Sequence, residues 1–536
     1  MTTVVNINEV LDGHVGLRIE CIDRLYLNAY VPNLQVGGQV TRFLRDHLGH
    51  PVVSPALLEK IGNRFRREVK AFAEDHDVPM LTTSRADRAA GGQLAQVAPY
   101  LAAAERAGRT GVVAIVSAQE FQWVFSASNR STTPGVVCYS FAKAQRRVGA
   151  YYFYVLDGDF GPGFIKICTY FPYPAKVWCN GHEWAKRQAA AAGIGFKELA
   201  NGFAACERAE ELQAICDRLG PEQVQSFFDR WMAAIPTPLT TADQDGGYWW
   251  ELSVRQVELA STSVFDDSRR ARSFFEALVA DNIGIGRPSQ VSMVFARRIT
   301  KKTPGPFATR VFGPGTEVCI DLRYRSSRVK QYLKEAKALR TETVINKPSD
   351  IGVRSRLCHL PELVAKGQEV NRRLLMIERA GQGCAIGSAL FERIHQPYNR
   401  EGHRTGALRF GDPRAMALAG ALCMVVHAVT GFTNKSLRGL VAGLLGSDYT
   451  SGQMTYDLRR LRLHGLIERI PRTNTYVTTS EGLRTAVFFT KLDQRLLHPL
   501  LAADQLPAPP AVRRALSSLD KAVGDYVAGA RLGAAA

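Results

Sequence analysis

The chain has 536 residues, 46% of them hydrophobic and 22% charged, which is long enough for several globular domains of roughly 100–200 residues each. It carries 68 Lys and Arg against 50 Asp and Glu, and this net charge of +18 favours a polyanionic partner, nucleic acid before an anionic membrane. No window approaches the roughly 20 apolar residues of a membrane-spanning helix, and the first residues lack a basic and apolar secretory signal. We therefore expect a cytoplasmic protein that does not enter a membrane.

The first part of the chain mixes strand and helix patterns. Ser54 followed by Pro55 is typical of an N-cap and first helical turn, and the helix should continue to about residue 77. Period-2 alternation and aromatic or β-branched runs predict strands elsewhere. The predicted strands are 18–31, 111–125 and 150–161, with a hairpin over 163–181 and a return of strand pattern at 290–346; 205–283 and 360–430 read as mainly helical.

Several function classes lack their sequence motifs. The chain has no P-loop, no Gly-x-Gly-x-x-Gly between strand and helix, no Gly-x-Ser-x-Gly and no His-Glu-x-x-His. Its ten cysteines include no Cys-x-x-Cys pair, so we expect reduced thiols. An ATPase, a nicotinamide dehydrogenase and a serine hydrolase are therefore not expected.

Residues 433–492 show the order helix, turn, basic helix, two short strands and helix. Thr450 or Ser451 is a natural N-cap of the second helix. Met454, Leu458 and Leu461 then fall at i, i+4 and i+7, which predicts a buried stripe. The opposite face carries Gln453, Tyr456, Arg459, Arg460 and Arg462.

This order, with the run "MTYDLRRLRLHGLIERIPRTNTYVTTSEGLRTAVFF", resembles the winged helix-turn-helix family over residues 431–492. The resemblance implies that the helix 451–464 enters the major groove, where Arg and Gln side chains read base edges. Arg472, Thr473 and Asn474, at the tip of the wing, would reach phosphate or the minor groove. A winged helix can also dock a protein, so an interaction scaffold is an alternative.

Residues 291–347 hold half of the excess positive charge. They contain 13 Lys or Arg and four Asp or Glu, and 13 minus four is nine of the total of +18. Because side chains alternate along a strand, we expect shared faces for Arg323 with Arg325 and for Arg340 with Glu342. Such a sheet face suits a sugar-phosphate backbone, and a solvated sheet edge is the alternative. A third shared face is expected for Arg328, Lys330 and Tyr332.

The pattern "RVKQYLK…LRTETVI" also resembles the "K-x-Y-x-K…L-R-x-E" segment of rolling-circle replication initiators. Those proteins cut DNA with a tyrosine nucleophile and a divalent metal. The resemblance implies a metal-ligand role for Glu342 and a phosphate contact for Lys330 or Lys334, with Tyr332 structural. The initiators' His-hydrophobe-His motif is absent. The whole chain also resembles a group of bacterial proteins, from which no activity carries over.

A second acidic group lies in the first half of the chain. Asp157 and Asp159 follow a strand, and His182-Glu183 begins a helix, an arrangement in which metal-dependent nucleases gather carboxylates around Mg²⁺. The alternative is an ordinary Asp/Gly turn and a first-turn acid that complements the helix dipole. If the protein is a nuclease, Mg²⁺ or Mn²⁺ is the expected cofactor, with Glu342, Asp157 and Glu183 as candidate catalytic residues.

These patterns predict a multidomain α+β protein that binds nucleic acid, DNA rather than RNA, with a metal-dependent nuclease or strand-transferase as an alternative. The oligomeric state does not follow from the sequence. The contacts are expected from Gln453, Tyr456, Arg459, Arg460, Arg462, Arg472 and Asn474, and from Arg323, Arg325, Arg328 and Lys330. The expected regions are N-terminal α/β 1–108, β-rich 109–204, helical 205–289, basic sheet 290–350, helical 351–430, winged helix 431–492 and a helical tail 493–536 with Val512, Leu516, Leu519 and Val523 on one face.

Overall fold

A large, mixed α/β architecture is present in the computed structural model. It describes residues 7–83, 87, 91–133, 138–282, 285–312, 318–380, 389–400, 402–424 and 431–493, with 514, 515, 518, 521 and 522. The four residues of the predicted apolar face of the tail, Val512, Leu516, Leu519 and Val523, lie outside the described residues. No helix in the described part of the chain is long and apolar enough to cross a membrane.

Strands are distributed along most of the chain. They are β1 Val15–Tyr30, β2 Met80–Thr82, β3 Gly111–Asn129, β4 Tyr139–Asp157, β5 Gly161–Cys168, β6 Ala175–Asn180, β7 Phe196–Leu199, β8 Gly202–Cys206, β9 Glu251–Phe265, β10 Arg310–Phe312, β11 Cys319–Tyr324, β12 Ser327–Lys334, β13 Ala338–Ile345, β14 Tyr398–Arg400, β15 His403–Thr405, β16 Ile467–Arg469 and β17 Tyr476–Thr478.

Helices separate these strands and make up most of the last third of the described chain. They are α1 Ile7–Gly13, α2 Gly37–Arg42, α3 Pro55–Asp75, α4 Gly92–Arg106, α5 Gly181–Ala191, α6 Ala209–Asp217, α7 Pro221–Ala234, α8 Thr241–Asp245, α9 Ser268–Asp281, α10 Pro288–Phe295, α11 Leu360–Ala380, α12 Ala389–His395, α13 Pro413–Met424, α14 Asn434–Leu445, α15 Ser451–Leu463 and α16 Ser480–Leu492.

Eleven strands form one continuous sheet in the order β10-β11-β12-β13-β9-β1-β6-β5-β4-β3-β2. Neighbouring strands are antiparallel except β2 and β3, which are parallel. The predicted boundaries at 108/109 and 289/290 therefore fall between strands of the same sheet. Its long central pair, β1 with β9, joins the N-terminal strands to the basic strands β11–β13.

The expectation of a mainly helical stretch over 205–289 is wrong at its centre, because β9 lies there. A bulge explains why the strand pattern is hard to see. The register with β1 shifts between Tyr26 and Leu27, so that Arg255 is an extra residue on β9. The apolar residues Leu252 and Val254 are consequently out of phase with Val257 and Leu259, and no single period-2 run remains.

The strand pattern predicted from residue 290 also begins too early, since residues 290–295 belong to α10. Pro288 occupies the first turn of this helix, where its missing N–H costs nothing. The remaining expectation for this region is met, because β11, β12 and β13 lie within 319–345.

Local signals place α3 where the sequence predicts it. The Ser54 hydroxyl accepts from the backbone N–H of Ala56 at 3.2 Å, and Pro55 stands in the first turn. Leu58, Phe65 and Val69 are buried against the sheet. These residues belong to the main hydrophobic core, which also contains the centre of the sheet and residues from α5–α7.

A second core joins the basic strands to the C-terminal helices. It contains Leu322 of β11, Leu374 of α11 and Leu418 of α13. Leu461 of α15 and Val487 of α16 belong to the same cluster. The predicted boundaries at 350/351 and 430/431 therefore cross a shared hydrophobic core.

Candidate nucleic-acid interface

The basic stretch from Arg323 folds as two antiparallel hairpins. β11 ends at Tyr324, and Arg325 with Ser326 forms a two-residue turn before β12. Arg325 has a φ of +55°, and its guanidinium lies 5.5 Å from the centre of the Tyr324 ring. The expectation that Arg323 and Arg325 share a strand face is wrong, because the chain turns between them; Arg323 pairs instead with Arg328.

The alternation predicted for β12 is present. Arg328, Lys330 and Tyr332 are partly exposed, whereas the residues between them are buried. Lys330 lies opposite Glu342 on β13, with its Nζ 2.7 Å from Glu342 Oε2. The Tyr332 hydroxyl donates to Glu342 Oε1 at 2.7 Å.

Arg340 and Glu342 are at the centre of a buried polar cluster. The Arg340 Nε donates to Glu342 Oε1 at 2.6 Å, and its Nη1 donates to Thr262 Oγ1 at 3.1 Å. Its Nη2 pairs with Asp23 at the bulge of β1. Burial alone would raise the pKa of Glu342, but Arg340 and Lys330 lower it to about 2. The charges of this cluster are thus balanced within the protein.

This pairing reduces the cations that the stretch offers to a ligand. Lys330 is paired with Glu342, and Arg323 Nε lies 2.9 Å from Asp321 Oδ2. Within the described residues, Arg325 and Arg328 have no carboxylate within ion-pair distance. They lie at and beside the β11–β12 turn. At the other end of β12, Lys334 and Lys337 likewise have no carboxylate within ion-pair distance among the described residues.

The geometry does not fit a metal at Glu342. Its Oε1 accepts from Arg340 and Tyr332, and its Oε2 lies 2.7 Å from Lys330 Nζ, so a Mg²⁺ ion would have to displace a cation that already neutralises this carboxylate. The described residues contain no group of three or more His, Cys, Asp or Glu that could hold a metal ion. The metal-ligand role implied by the replication-initiator resemblance is not supported here.

Asp157 has a structural environment. Its Oδ1 accepts from the backbone N–H groups of Asp159 and Phe160 at 2.8 and 2.9 Å. Its Oδ2 accepts from Trp231 Nε1 at 2.9 Å and Arg230 Nη1 at 3.1 Å. These bonds fix the β4–β5 turn to α7, and they use both oxygens of the carboxylate.

The Glu183 carboxylate also has partners within the protein. It lies in the first turn of α5, and its Oε1 is 3.0 Å from Lys186 Nζ and 3.5 Å from His182 Nε2. Burial lowers the pKa of His182 to about 4, so its ring is neutral near pH 7. Glu183 therefore belongs to a small ion-pair group on α5.

Helix α15 is built as the sequence predicts. Thr450 is its N-cap, and its hydroxyl accepts from the backbone N–H of Gln453 at 3.2 Å. Gln453 Oε1 in return accepts from the Thr450 N–H at 2.8 Å, which closes a capping box. Met454, Leu458 and Leu461 are buried. Gln453 is exposed, but its side-chain oxygen is used by the cap.

The solvent side of α15 carries two exposed arginines. Arg462 has no carboxylate within ion-pair distance in the described chain, and Arg459 Nη2 lies 3.2 Å from His403 Nδ1. Arg472 is exposed in the β16–β17 turn with a φ of +60°. Tyr456 is 53% exposed, with the Arg414 guanidinium 5.7 Å from its ring centre. Asn474, on the same turn, accepts from Arg469 Nη2 at 2.7 Å.

The expected exposure of Arg460 is wrong. Its side chain is buried, with Nε donating to the Gly406 carbonyl at 3.1 Å and Nη2 donating to the Ala407 carbonyl. Its Nη1 also lies 3.5 Å from Asp457 Oδ1. The segment around 403–407 packs on this side of α15. The side of a helix opposite its hydrophobic stripe is solvent-exposed only where no other segment covers it.

Helix α14 contributes a cation that the sequence reasoning missed. Asn434 Nδ2 donates to Thr455 Oγ1 at 3.0 Å and to the Ser451 carbonyl at 3.2 Å, so the start of α14 lies beside the start of α15. Lys435 follows and is exposed. Thr433 is the N-cap of α14, and this cap in the sequence is the signal that places Lys435 in the first turn of that helix.

Comparisons of the chain with protein-family models, with curated proteins and with solved structures found no match.

Proposed function

We propose that residues 431–492 form a winged helix-turn-helix that binds double-stranded DNA, with α15 as the recognition helix. The observation that supports this most directly is the pair Arg459 and Arg462 on the solvent side of α15. Neither has a carboxylate within ion-pair distance among the described residues. Arg459 Nη2 contacts His403 Nδ1 at 3.2 Å, which leaves its other N–H groups, and those of Arg462, for a base edge or a phosphate. Arginine contacts guanine O6 and N7 through two parallel hydrogen bonds.

The order of elements supports the same proposal. α14 and α15 are followed by the β16–β17 hairpin and by α16. Arg472 at the hairpin turn extends the positive charge beyond the helix, as a wing does toward the phosphate backbone. Lys435 adds a cation beside the start of α15.

Duplex DNA fits this surface better than duplex RNA. The major groove of B-form DNA is about 12 Å wide and admits an α-helix, whereas the major groove of A-form RNA is too narrow for side chains to read. Arg325 and Arg328 would be a second contact, directed to phosphates. Phosphate contacts position a protein without reading sequence.

The test is duplex binding by the double variant Arg459→Ala/Arg462→Ala. Each lost bidentate contact costs about 1–3 kcal/mol, so the Kd should rise at least about 10-fold, measured by fluorescence anisotropy at one fixed salt concentration. The matched control is Arg67→Ala/Lys70→Ala, which removes two exposed cations from α3. Equal Kd values for the α15 variant and the unmodified chain, or an equal loss in the control, would overturn the proposal.

A further inference from the structure

The β3–β4 hairpin extends beyond the rest of its sheet. β4 pairs with β3 along its whole length, but β5 pairs with β4 only over residues 150–157. Residues 118–130 and 138–149 therefore form a two-stranded projection, which we name the basic arm. The arm is packed against the rest of the protein beyond its root, since the Phe125 N–H donates to the Phe171 carbonyl at 3.3 Å and both Phe125 and Phe141 are buried.

Two aromatic side chains on the basic arm are open to solvent. Phe121 is 68% exposed and Trp123 is 64% exposed. They are two residues apart on β3, so they share a face and lie about 6–7 Å apart along the strand. Large apolar side chains grouped at the surface commonly mark an interaction site.

The same face carries positive charge. Arg147 lies directly opposite Phe121 on β4, and Gln145 lies opposite Trp123. Lys143 follows on this face, with its Nζ 5.6 Å from the centre of the Phe125 ring. Residues facing each other across an antiparallel pair are about 5 Å apart, so a cation stands beside each end of the aromatic pair.

The cations of the arm are not neutralised within the described residues. Arg130, Lys143, Arg146 and Arg147 are exposed and have no carboxylate within ion-pair distance. Lys143 donates to Gln35 Oε1 at 2.9 Å, and Arg146 donates to Ser126 Oγ at 3.2 Å. The acid of the arm, Glu120, pairs with the buried Lys166 instead.

We propose that the basic arm binds single-stranded nucleic acid, with bases stacking on Phe121 and Trp123 and with phosphates contacting Arg147 and Lys143. Exposed aromatic rings interleaved with cations bind single strands because every base has a π-face and every linkage has a negative charge. A duplex is a poor fit, since its bases are already stacked on one another. A second copy of this chain, with its own net charge of +18, would bring like charge to the arm.

The arm and the α15 surface are separate sites, so this inference stands or falls independently of duplex binding. The probes are fluorescein-labelled dT20 and rU20, because stacking does not depend on the sugar. Trp123→Leu is compared with Trp249→Leu, which removes a 49%-exposed tryptophan located just before β9. Thermal unfolding of both variants confirms that each is folded.

Stacking of a base on one aromatic side chain contributes several-fold to about 100-fold in affinity. We therefore expect Trp123→Leu to weaken binding of at least one of the two probes about 10-fold. Trp249→Leu should change the affinity for that probe less than about 2-fold. Lys143→Gln/Arg147→Gln removes two phosphate contacts, so it should lower the slope of log affinity against log salt by about 1.4, at about 0.7 per phosphate of a single strand.

Three results would overturn the inference. One is an affinity loss in Trp249→Leu equal to that in Trp123→Leu. Another is binding of neither probe by the unmodified chain. The last is tighter binding to phosphatidylserine vesicles than to either oligonucleotide, with Trp123 required for it, which would assign the arm to an anionic membrane surface.

Discussion

Arg340 lies wholly inside the protein, although arginine keeps its charge at every physiological pH. A buried charge is tolerated when its partners balance it, and here Glu342 does so from the same strand, β13, and Asp23 from β1, on the far side of β9. Glu342 also holds Lys330 and Tyr332. Much of the charge between 323 and 346 is therefore structural, whereas Arg325 and Arg328 at the β11–β12 turn, and Lys334 and Lys337 at the β12–β13 turn, have no carboxylate within ion-pair distance among the described residues.

Glu342→Gln should destabilise the fold by about 3 kcal/mol near pH 7, since breaking a buried ion pair leaves unbalanced cations. The folded pKa of about 2 lies below the usual 4.5, so this contribution is fully present above pH 4.5 and is lost as the pH falls toward 2. Chemical denaturation at several pH values measures it. The difference between the unmodified chain and the variant should shrink on acidification.

Glu68→Gln is the control for this prediction. Glu68 is an exposed member of an ion pair with Arg64 on α3, at 3.5 Å, and exposed pairs contribute little. If Glu342→Gln unfolds at the same denaturant concentration as Glu68→Gln at pH 7, the buried cluster does not stabilise the protein.

Helix α15 shows how one element can serve two purposes. Its arginines are close in sequence, yet Arg459 and Arg462 face solvent while Arg460 binds the carbonyls of Gly406 and Ala407. Successive residues on a helix point about 100° apart, so neighbours in sequence face different surroundings. The helix is thus fixed to the rest of the protein through Arg460 and presents its other arginines outward.

Arg460→Ala should lower the melting temperature, because the Ala407 carbonyl loses the Arg460 donor and an unsatisfied group costs about 1–3 kcal/mol. The Gly406 carbonyl also loses Arg460 but keeps His464 Nε2 at 2.9 Å. Arg459→Ala, the matched exposed change one residue away, should leave the melting temperature within about 1 °C, because surface changes are usually close to neutral. Differential scanning calorimetry separates the two. A lower duplex affinity for Arg460→Ala at an unchanged melting temperature would instead make Arg460 a groove contact.

At the scale of the whole molecule, the long sheet is the feature that connects regions far apart in the chain. β9 lies between β1 and β13, and it bonds to both along most of its length. The second core then joins β11–β13 to α11 and to the C-terminal helices. The proposed duplex-binding helices therefore rest on the same core as the basic hairpins.

Residues 1–289 expressed alone should not fold as a stable unit, although the change from a helical to a strand pattern predicts a boundary there. Without β13, β9 would be a long unpaired edge, and such edges aggregate. We expect loss of a cooperative thermal transition in circular dichroism and a large oligomer in gel filtration, with the full chain as the reference. A monomer with a cooperative transition would show that the sheet is divisible at this boundary.

The sequence by itself determined the features that depend on a few neighbouring residues. The N-cap Ser54 follows from the Ser-Pro pair, and the N-cap of α15 is limited by its sequence to Thr450 or Ser451. The buried stripe of Met454, Leu458 and Leu461 and the alternation along β12 follow from the period of a helix or strand. The net charge of +18 is likewise a property of the sequence alone, and it is the basis for expecting a polyanionic partner.

The tertiary structure decided which charges remain free and which strands are neighbours. Asp23 and Arg340 are separated by 317 positions, and no local pattern links them. The bulge at Arg255 interrupts the alternation by which β9 could have been recognised. Burial of Arg460 depends on a segment more than 50 residues away. Side-chain partners are set by the packing of distant elements, whereas caps and stripes are set by the backbone period within three or four residues.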